Sequence, residues 1–279
     1  SNTGAPYARI DHVSVWTGSK MIIWGPGNSG ALYDPAADTW EPMATEGAPS
    51  TRYRALAVWT GTEMIVWGGD TGNGYSLGDG GRYNPSTNLW SAVSTTGAPL
   101  ARYGGQTAVW TGSQMIVWGG PNDGAPAAGG IYTPTTDTWT PIATANAPSA
   151  RREHSAVWTG SEMLIWGGWD GTQAVNNGAR YNPATNTWKT MSATCAPLAR
   201  YSHTGVWSGT EMLVWGGTSY LTGGQYNPAT DTWKAMPIAG VPDVRMSPAT
   251  VWTGTDMLIW GGRDAAYGGL HGDGGRFRP

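Results

Sequence analysis

Few side chains in this sequence could do chemistry, and most of them stand at matched places. Asp11, Arg54 and Glu153 each lie two residues after an arginine (Arg9, Arg52, Arg151), and Gly104, Ser202 and Ser247 hold the same position after Arg102, Arg200 and Arg245. Carboxylates and a guanidinium brought to one rim could hold a sugar acid or move a proton. Tyr53, Tyr103 and Tyr201 stand one residue earlier. His12, His154 and His203 share another position, four residues before a Trp. A metal centre would need all three at one point; so widely separated, they are expected to pack and hydrogen-bond instead. Arg263, Asp264, Tyr267, His271 and Asp273 form a second group, in which a histidine among carboxylates could act as acid and base or hold a metal. Trp169, followed by Asp170, is the one Trp of 18 outside a recurring pattern, and Tyr220 lies in a comparable loop. An exposed Trp could stack on a sugar or anchor a peptide, its alternative being to pack on Tyr201 or another neighbouring loop. There is no nucleophile–base motif, metal-ligand spacing or cofactor fingerprint. No residue is therefore assigned a catalytic role, and no metal or cofactor is expected.

The elements that must position these residues are repeated. Val-Trp-Thr-Gly-Ser-Glu-Met-Leu-Ile-Trp-Gly-Gly, 157–168, recurs with small changes from Val15, Val58, Val109, Val206 and Val251. Successive first Trp are 43 to 51 residues apart (Trp16 to Trp59, Trp59 to Trp110), a period that means one supersecondary unit used six times. Each copy reads as four short strands. In the fourth these are 154–158, 162–166, 179–182 and 187–191, with Thr159-Gly160 and Asn182-Pro183 as turn signals. No helical periodicity appears, so an all-β fold is expected. Six four-stranded antiparallel units fit a six-bladed β-propeller better than a sandwich.

The residues resemble the kelch repeat. The features are a Gly-Gly doublet after the second strand, a Tyr about a dozen residues on and a Trp seven beyond it: Gly68-Gly69, Tyr83, Trp90; Gly119-Gly120, Tyr132, Trp139; Gly167-Gly168, Tyr181, Trp188; Gly216-Gly217, Tyr226, Trp233. The Arg before each first strand is similar too. The resemblance implies one domain over 1–279, with blades near 7–49, 50–99, 100–148, 149–197, 198–242 and 243–279. The first copy departs with Gly25-Pro26 and the last with Phe277 in place of Tyr. The sixth copy also lacks a Thr-Trp strand, so either that blade has three strands or the sequence is part of a longer protein. The segment from Gly4-Ala5-Pro6 matches the stretch after that strand in other copies, and Ser1-Asn2 could be an expression scar. Trp, Gly-Gly and Tyr, recurring once per blade, are expected to be scaffold. The six Arg are expected to hydrogen-bond between blades rather than form a cationic ring.

The copies disagree in the connections after the fourth strand, which include the residues just after each Arg, and in the loops after the second strand, at 26–29, 70–79, 121–124, 169–173, 218–221 and 263–273. Function is expected on that end and at the channel mouth it surrounds. Net charge is −3 and no basic stripe exists, which argues against nucleic acid. No apolar run approaches the roughly 18 residues of a membrane span. Cys195 is alone, so no intrachain disulfide can form. Its place after an outer strand argues against the Cys–Tyr cofactor of kelch-type copper oxidases. Only three Lys among abundant Trp, Thr and Gly suggest an exported bacterial protein, extracellular or periplasmic. The expected function is non-catalytic binding of a protein or glycan by a monomer. The alternative is a sugar or sugar-acid epimerase or mutarotase, with Asp11, Arg54, Glu153 and the sixth-loop acids as its candidates.

Overall fold

The structure, a computed structural model, describes residues 1–279 apart from 103, 121–127, 219, 239 and 265–267. Its strands fall into two compact units, Ser1–Gly120 with Ala128–Pro141, and Ile142–Pro279.

In the first unit, blade 1 is β1 (Val13–Trp16), β2 (Met21–Gly25), β3 (Ser29–Asp34) and β4 (Thr39–Pro42). Blade 2 is β5 (Leu56–Trp59), β6 (Met64–Trp67), β7 (Gly80–Asn84) and β8 (Leu89–Ala92). Blade 3 is β9 (Gln106–Trp110), β10 (Met115–Gly119), β11 (Gly129–Thr133) and β12 (Thr138–Pro141). In the second unit, blade 4 is β13 (Ser155–Trp158), β14 (Met163–Trp166), β15 (Gly178–Asn182) and β16 (Thr187–Thr190). Blade 5 is β17 (Thr204–Trp207), β18 (Met212–Trp215), β19 (Gly223–Asn227) and β20 (Thr232–Ala235). Blade 6 has only β21 (Ala249–Trp252), β22 (Met257–Trp260) and β23 (Gly274–Phe277). Each blade is an antiparallel meander in chain order, and the described residues form no helix. The fold is that of a six-bladed β-propeller, five blades having four strands and the sixth three.

Local chemistry sets each hairpin. In the first, Thr17 N–H donates to Lys20 O at 2.9 Å, and Thr17 Oγ1 accepts from the Lys20 amide at 2.9 Å. Gly18, at φ 104°, takes the positive dihedral that the first central residue of such a turn requires. The core lies between blades. Trp24 stacks on Trp90 of blade 2 at 5.4 Å, Trp67 on Trp139 of blade 3 at 4.4 Å, and Trp166 on Trp233 of blade 5 at 5.2 Å. Each indole removes roughly 150–250 Å2 from water, worth on the order of 4–6 kcal/mol at about 25 cal/mol per Å2.

The repeated Trp, all expected to be scaffold, are not all core. The first Trp of each copy pairs at the turn end of its hairpin, opposite the Met that opens the second strand, and is half-buried or, for Trp16, 53% exposed. Trp260 is 62% exposed, beside Val251 and Leu258, also exposed.

A repeated clasp joins neighbouring blades. Two residues before each outer-strand Trp stands an Asp or Asn with φ near 50° (Asp38, Asn88, Asp137, Asn186, Asp231). Its side-chain oxygen accepts from its own blade's Tyr hydroxyl, as Asn186 does from Tyr181 at 2.7 Å. The same oxygen accepts a backbone N–H from the segment after another outer strand: Ala44 to Asn88, Ser94 to Asp137, Ala143 to Asn186, Ser192 to Asp231. The Trp indole then donates to the carbonyl of that same residue, as Trp90 does to Ala44 O at 2.9 Å. In blade 1, Trp40 Nε1 donates to Ser1 O at 3.0 Å, and Ala5 N–H bonds Asn2 O as Ala48 N–H bonds Thr45 O. Ser1 thus stands to Asp38 and Trp40 as Ala44 stands to Asn88 and Trp90.

Candidate variable-loop binding site

Four of the six Arg prepare the variable end. Arg52, Arg151, Arg200 and Arg245 are at most 1% exposed. In each, Nη1 donates to two carbonyls that bracket the variable loop: Gly68 and Asp79, Gly167 and Asn177, Gly216 and Thr222, Gly261 and Asp273. Nε donates to the carbonyl two residues earlier. These bonds stay within one blade, so the expectation of Arg bonding between blades is corrected. A guanidinium presents donors in a fixed fork, and here that fork pins both loop ends however long the loop is. Burial pulls Arg151 and Arg200 down to about 10, leaving both cationic at neutral pH.

Two residues after each Arg, Asp11, Arg54, Gly104, Glu153, Ser202 and Ser247 share a left-handed φ of 49–56°. That bend lets the backbone of neighbouring blades meet. Arg54 N–H donates to Asp11 O at 3.3 Å, Ser202 N–H to Glu153 O at 3.0 Å and Ser247 N–H to Ser202 O at 2.7 Å. Their side chains differ from blade to blade on a shared backbone track.

In the first unit, Arg54 grips Asp70 with two bonds of 2.8 Å, and Asp70 is fully buried. The Asp70 carboxylate also takes the Gly72 amide at 2.8 Å. Arg54 is thus ion-paired to a residue not among the sequence candidates. Asp11 is exposed, and half-buried Tyr53 covers Gly72 closely enough that a Cβ there would lie 2.9 Å from its ring. Tyr103 lies outside the described residues.

In the second unit, Glu153, Trp169 and Tyr201 come together. The Tyr201 ring meets Trp169 edge-on at 5.5 Å, and both are half-buried. Ser202 Oγ donates to the Glu153 carboxylate, and Arg152 Nε lies 3.7 Å from it. Trp169 also fills a place that recurs. It bridges Arg152 and Ala174, as Asp70 bridges Tyr53 and Ser76 and Arg263 bridges Met246 and Leu270. The repeat therefore does make a demand at this position, but on the backbone, leaving the side chain free to vary. Asp170 turns inward on its own loop, accepting from Thr172 N, Thr172 Oγ1 and Gln173 N at 2.8–2.9 Å. Those bonds, led by the Gln173 amide, hold its pKa below the usual carboxylate range. Tyr220 lies over the buried Arg200 guanidinium at 5.0 Å.

The sixth loop also gathers. His271 Nε2 lies 3.0 Å from Asp264 Oδ1, and its Nδ1 lies 3.8 Å from Asp273 Oδ1. Asp273 in turn pairs with Arg245 Nη2 at 3.0 Å. Arg263 is exposed, and Tyr267 lies outside the described residues. Among the described residues no three His, Cys, Asp or Glu are grouped to hold a metal. His154 and His203 are buried and neutral, both pushed down to about 3 by burial, and His203 Nε2 lies 2.8 Å from Ser155 Oγ. At the opposite end the turn carboxylates are largely paired: Glu162 with Arg180 at 2.9 Å, Asp256 with Arg278 at 2.7 Å and Glu63 with Arg82 at 4.0 Å.

A family model described as the Attractin/LZTR1 β-propeller matches residues 26–264. No curated protein matches the chain. Among the described residues no helix is long and apolar enough to cross a membrane.

Proposed function

The chain belongs to the Attractin/LZTR1 β-propeller family, and from that premise we propose that it is a non-catalytic binding module whose ligand, a protein or a glycan, docks on the variable-loop end of the blades. Propellers of this kind commonly serve as interaction scaffolds, but a fold alone does not assign a function. The observation that carries the reading is the corner formed by Trp169, Tyr201, Glu153 and Ser202. Two half-buried rings meet at an edge near a carboxylate that the buried Ser202 hydroxyl holds in place, a surface that offers stacking and a fixed hydrogen-bond acceptor together. Much of the remaining polar chemistry on this end is already engaged: Arg54 by Asp70, Asp170 by its own turn, Arg200 by Tyr220 and backbone carbonyls. Residues held this way form a rigid frame for contact. Export to an extracellular or periplasmic space is part of the same proposal and rests on composition alone, and the protein is proposed to act as a monomer.

A glycan array and a peptide display screen with the purified protein test this reading, each repeated with Trp169→Ala and Tyr201→Ala. At least a tenfold loss of captured ligand is expected for either variant. Ligand capture that neither substitution disturbs would move the site elsewhere. A second reading, epimerase or mutarotase action on a sugar or sugar acid, draws on the His271–Asp264 contact, an imidazole oriented by a carboxylate as acid–base chemistry requires. Conversion of free sugars that is lost in His271→Gln would favour it.

A further inference from the structure

The first Trp of each copy stands at the turn end of its blade, opposite the variable loops, and there the wedges between blades are open. In the first unit a cleft of about 470 Å3 lies between blades 1 and 2, and another of about 520 Å3 between blades 2 and 3. Both fall in the range of small-ligand sites, roughly 300–1,000 Å3. Trp59 lines the one and Trp110 the other, each half-buried and packed on the core of its wedge. Closing a wedge calls only for apolar volume, which buried Trp24 and Trp67 already supply. A flat indole left partly in solvent adds an aromatic face with nothing stacked on it.

The polar lining matches place for place. Thr17, Thr62 and Ser86 line the first cleft where Thr60, Ser113 and Thr135 line the second. Each cleft also holds one cation and one carboxylate. In the first, Lys20 Nζ pairs with Glu41 at 2.7 Å. In the second, Arg82 Nη1 donates across the wedge to Pro134 O at 2.8 Å. Glu63 Oε2 stands 4.0 Å from Arg82 Nε, close enough to balance its charge but beyond a hydrogen bond. Gln114 Nε2 donates to Thr133 Oγ1 at 2.9 Å, which leaves the Gln114 carbonyl as a further acceptor. In the second unit Glu162 and Arg180 repeat the pair, Arg180 again donating to a proline carbonyl, that of Pro228.

The ligand follows from this chemistry. The charges in each cleft cancel, so neither an anion nor a cation is selected. Donors and acceptors stand side by side, which suits a hydroxyl, a group that does both. The indole suits the flat C–H face of a pyranose ring. We propose that the clefts between blades 1 and 2 and between blades 2 and 3 are carbohydrate sites, each taking a neutral saccharide stacked on its Trp. In the second, Glu63 accepts from a sugar hydroxyl. A glycan spanning both clefts would be held more tightly than either holds a single sugar. These sites lie at the other end of the blades from the Trp169 corner and do not depend on it.

The test titrates the whole chain, 15N-labelled at its indoles, with three neutral β-1,4-linked hexasaccharides, cellohexaose, galactohexaose and mannohexaose, and with hexagalacturonate as a charged control. Indole N–H signals are read by NMR, those of Trp59 and Trp110 being assigned by their loss in Trp59→Phe and Trp110→Phe. At least one neutral sugar is expected to shift both signals saturably, and hexagalacturonate to bind at least tenfold more weakly. Glu63→Gln should weaken the titration at Trp110 about tenfold, as loss of a charge-assisted bond does, and leave that at Trp59 unchanged, which also shows that the variant is folded. No shift of either signal by any neutral sugar up to tens of millimolar overturns the proposal. So does equal binding of hexagalacturonate, or a sugar-induced shift confined to Trp169, which would assign the sugar to the variable-loop end.

Discussion

Burial fixes the charge of His154 and His203. Desolvation disfavours the imidazolium, and the Arg151 and Arg200 charges beside them act in the same direction. The folded pKa of about 3 lies below the unfolded value of 6.5, so below pH 6.5 the unfolded chain binds protons that the folded chain refuses. The stability these residues contribute is therefore whole above pH 6.5 and is lost as pH falls toward 3, by about 1.4 kcal/mol per pH unit for each histidine. Urea unfolding between pH 7.5 and 4.5 should show this slope, and His154→Gln with His203→Gln should flatten it; an unchanged slope would refute the assignment. The two loop-end Trp separate by the same logic. Trp166 is fully buried against Trp233, and its replacement by Ala should cost about 3–5 kcal/mol. Trp169 is half-buried on one tyrosine, and Trp169→Ala should cost about 1 kcal/mol. Thermal melts that reversed this order would make Trp169 scaffold rather than contact surface.

At the scale of the element, the hairpins were plain in the sequence because Thr-Gly and Asn-Pro each have a local cause. The clasp between blades was not. Its Asp or Asn stands two residues before each outer-strand Trp, a regular signal, but what that side chain bonds is set by another blade. The same holds for Arg: its recurrence marked it as structural, whereas its partners, the two carbonyls at the loop ends, are fixed only by tertiary geometry. Asn186→Ala should cost about 1–3 kcal/mol, because it strands the Ala143 amide and puts Ala at a φ of 51°. Tyr181→Phe removes one donor and leaves the Ala143 bond in place, so about 0.5–1.5 kcal/mol is expected. Denaturant midpoints at constant m-value give both numbers, and equal losses would show that the hydroxyl rather than the amide carries the clasp.

Across the whole chain, the repeat made the scaffold legible, since one packing demand met six times leaves one pattern six times. The site was less legible because loop side chains answer to no pattern. Trp169 and Tyr201 could be named, and their packing on each other could be set out as an alternative to exposure, but which of the two holds, and that Arg54 is gripped by Asp70, depends on loop ends pinned beneath them. If the Arg fork carries that pinning, loop length and stability should be separable. Arg151 spans Gly167 O and Asn177 O, while Arg200 makes the same two bonds across the shorter loop from Gly216 to Thr222. Replacing residues 168–176 with the sequence of residues 217–221 should leave the melting temperature within a few degrees, because loop closure depends only weakly on length. The same replacement should abolish ligand capture at the Trp169 corner. Arg151→Met, with the loop untouched, should instead cost at least about 3 kcal/mol, by leaving several buried carbonyls without a donor. A loop exchange that unfolds the chain as badly as Arg151→Met would mean that the loop itself, and not the guanidinium under it, holds the end of the blade together.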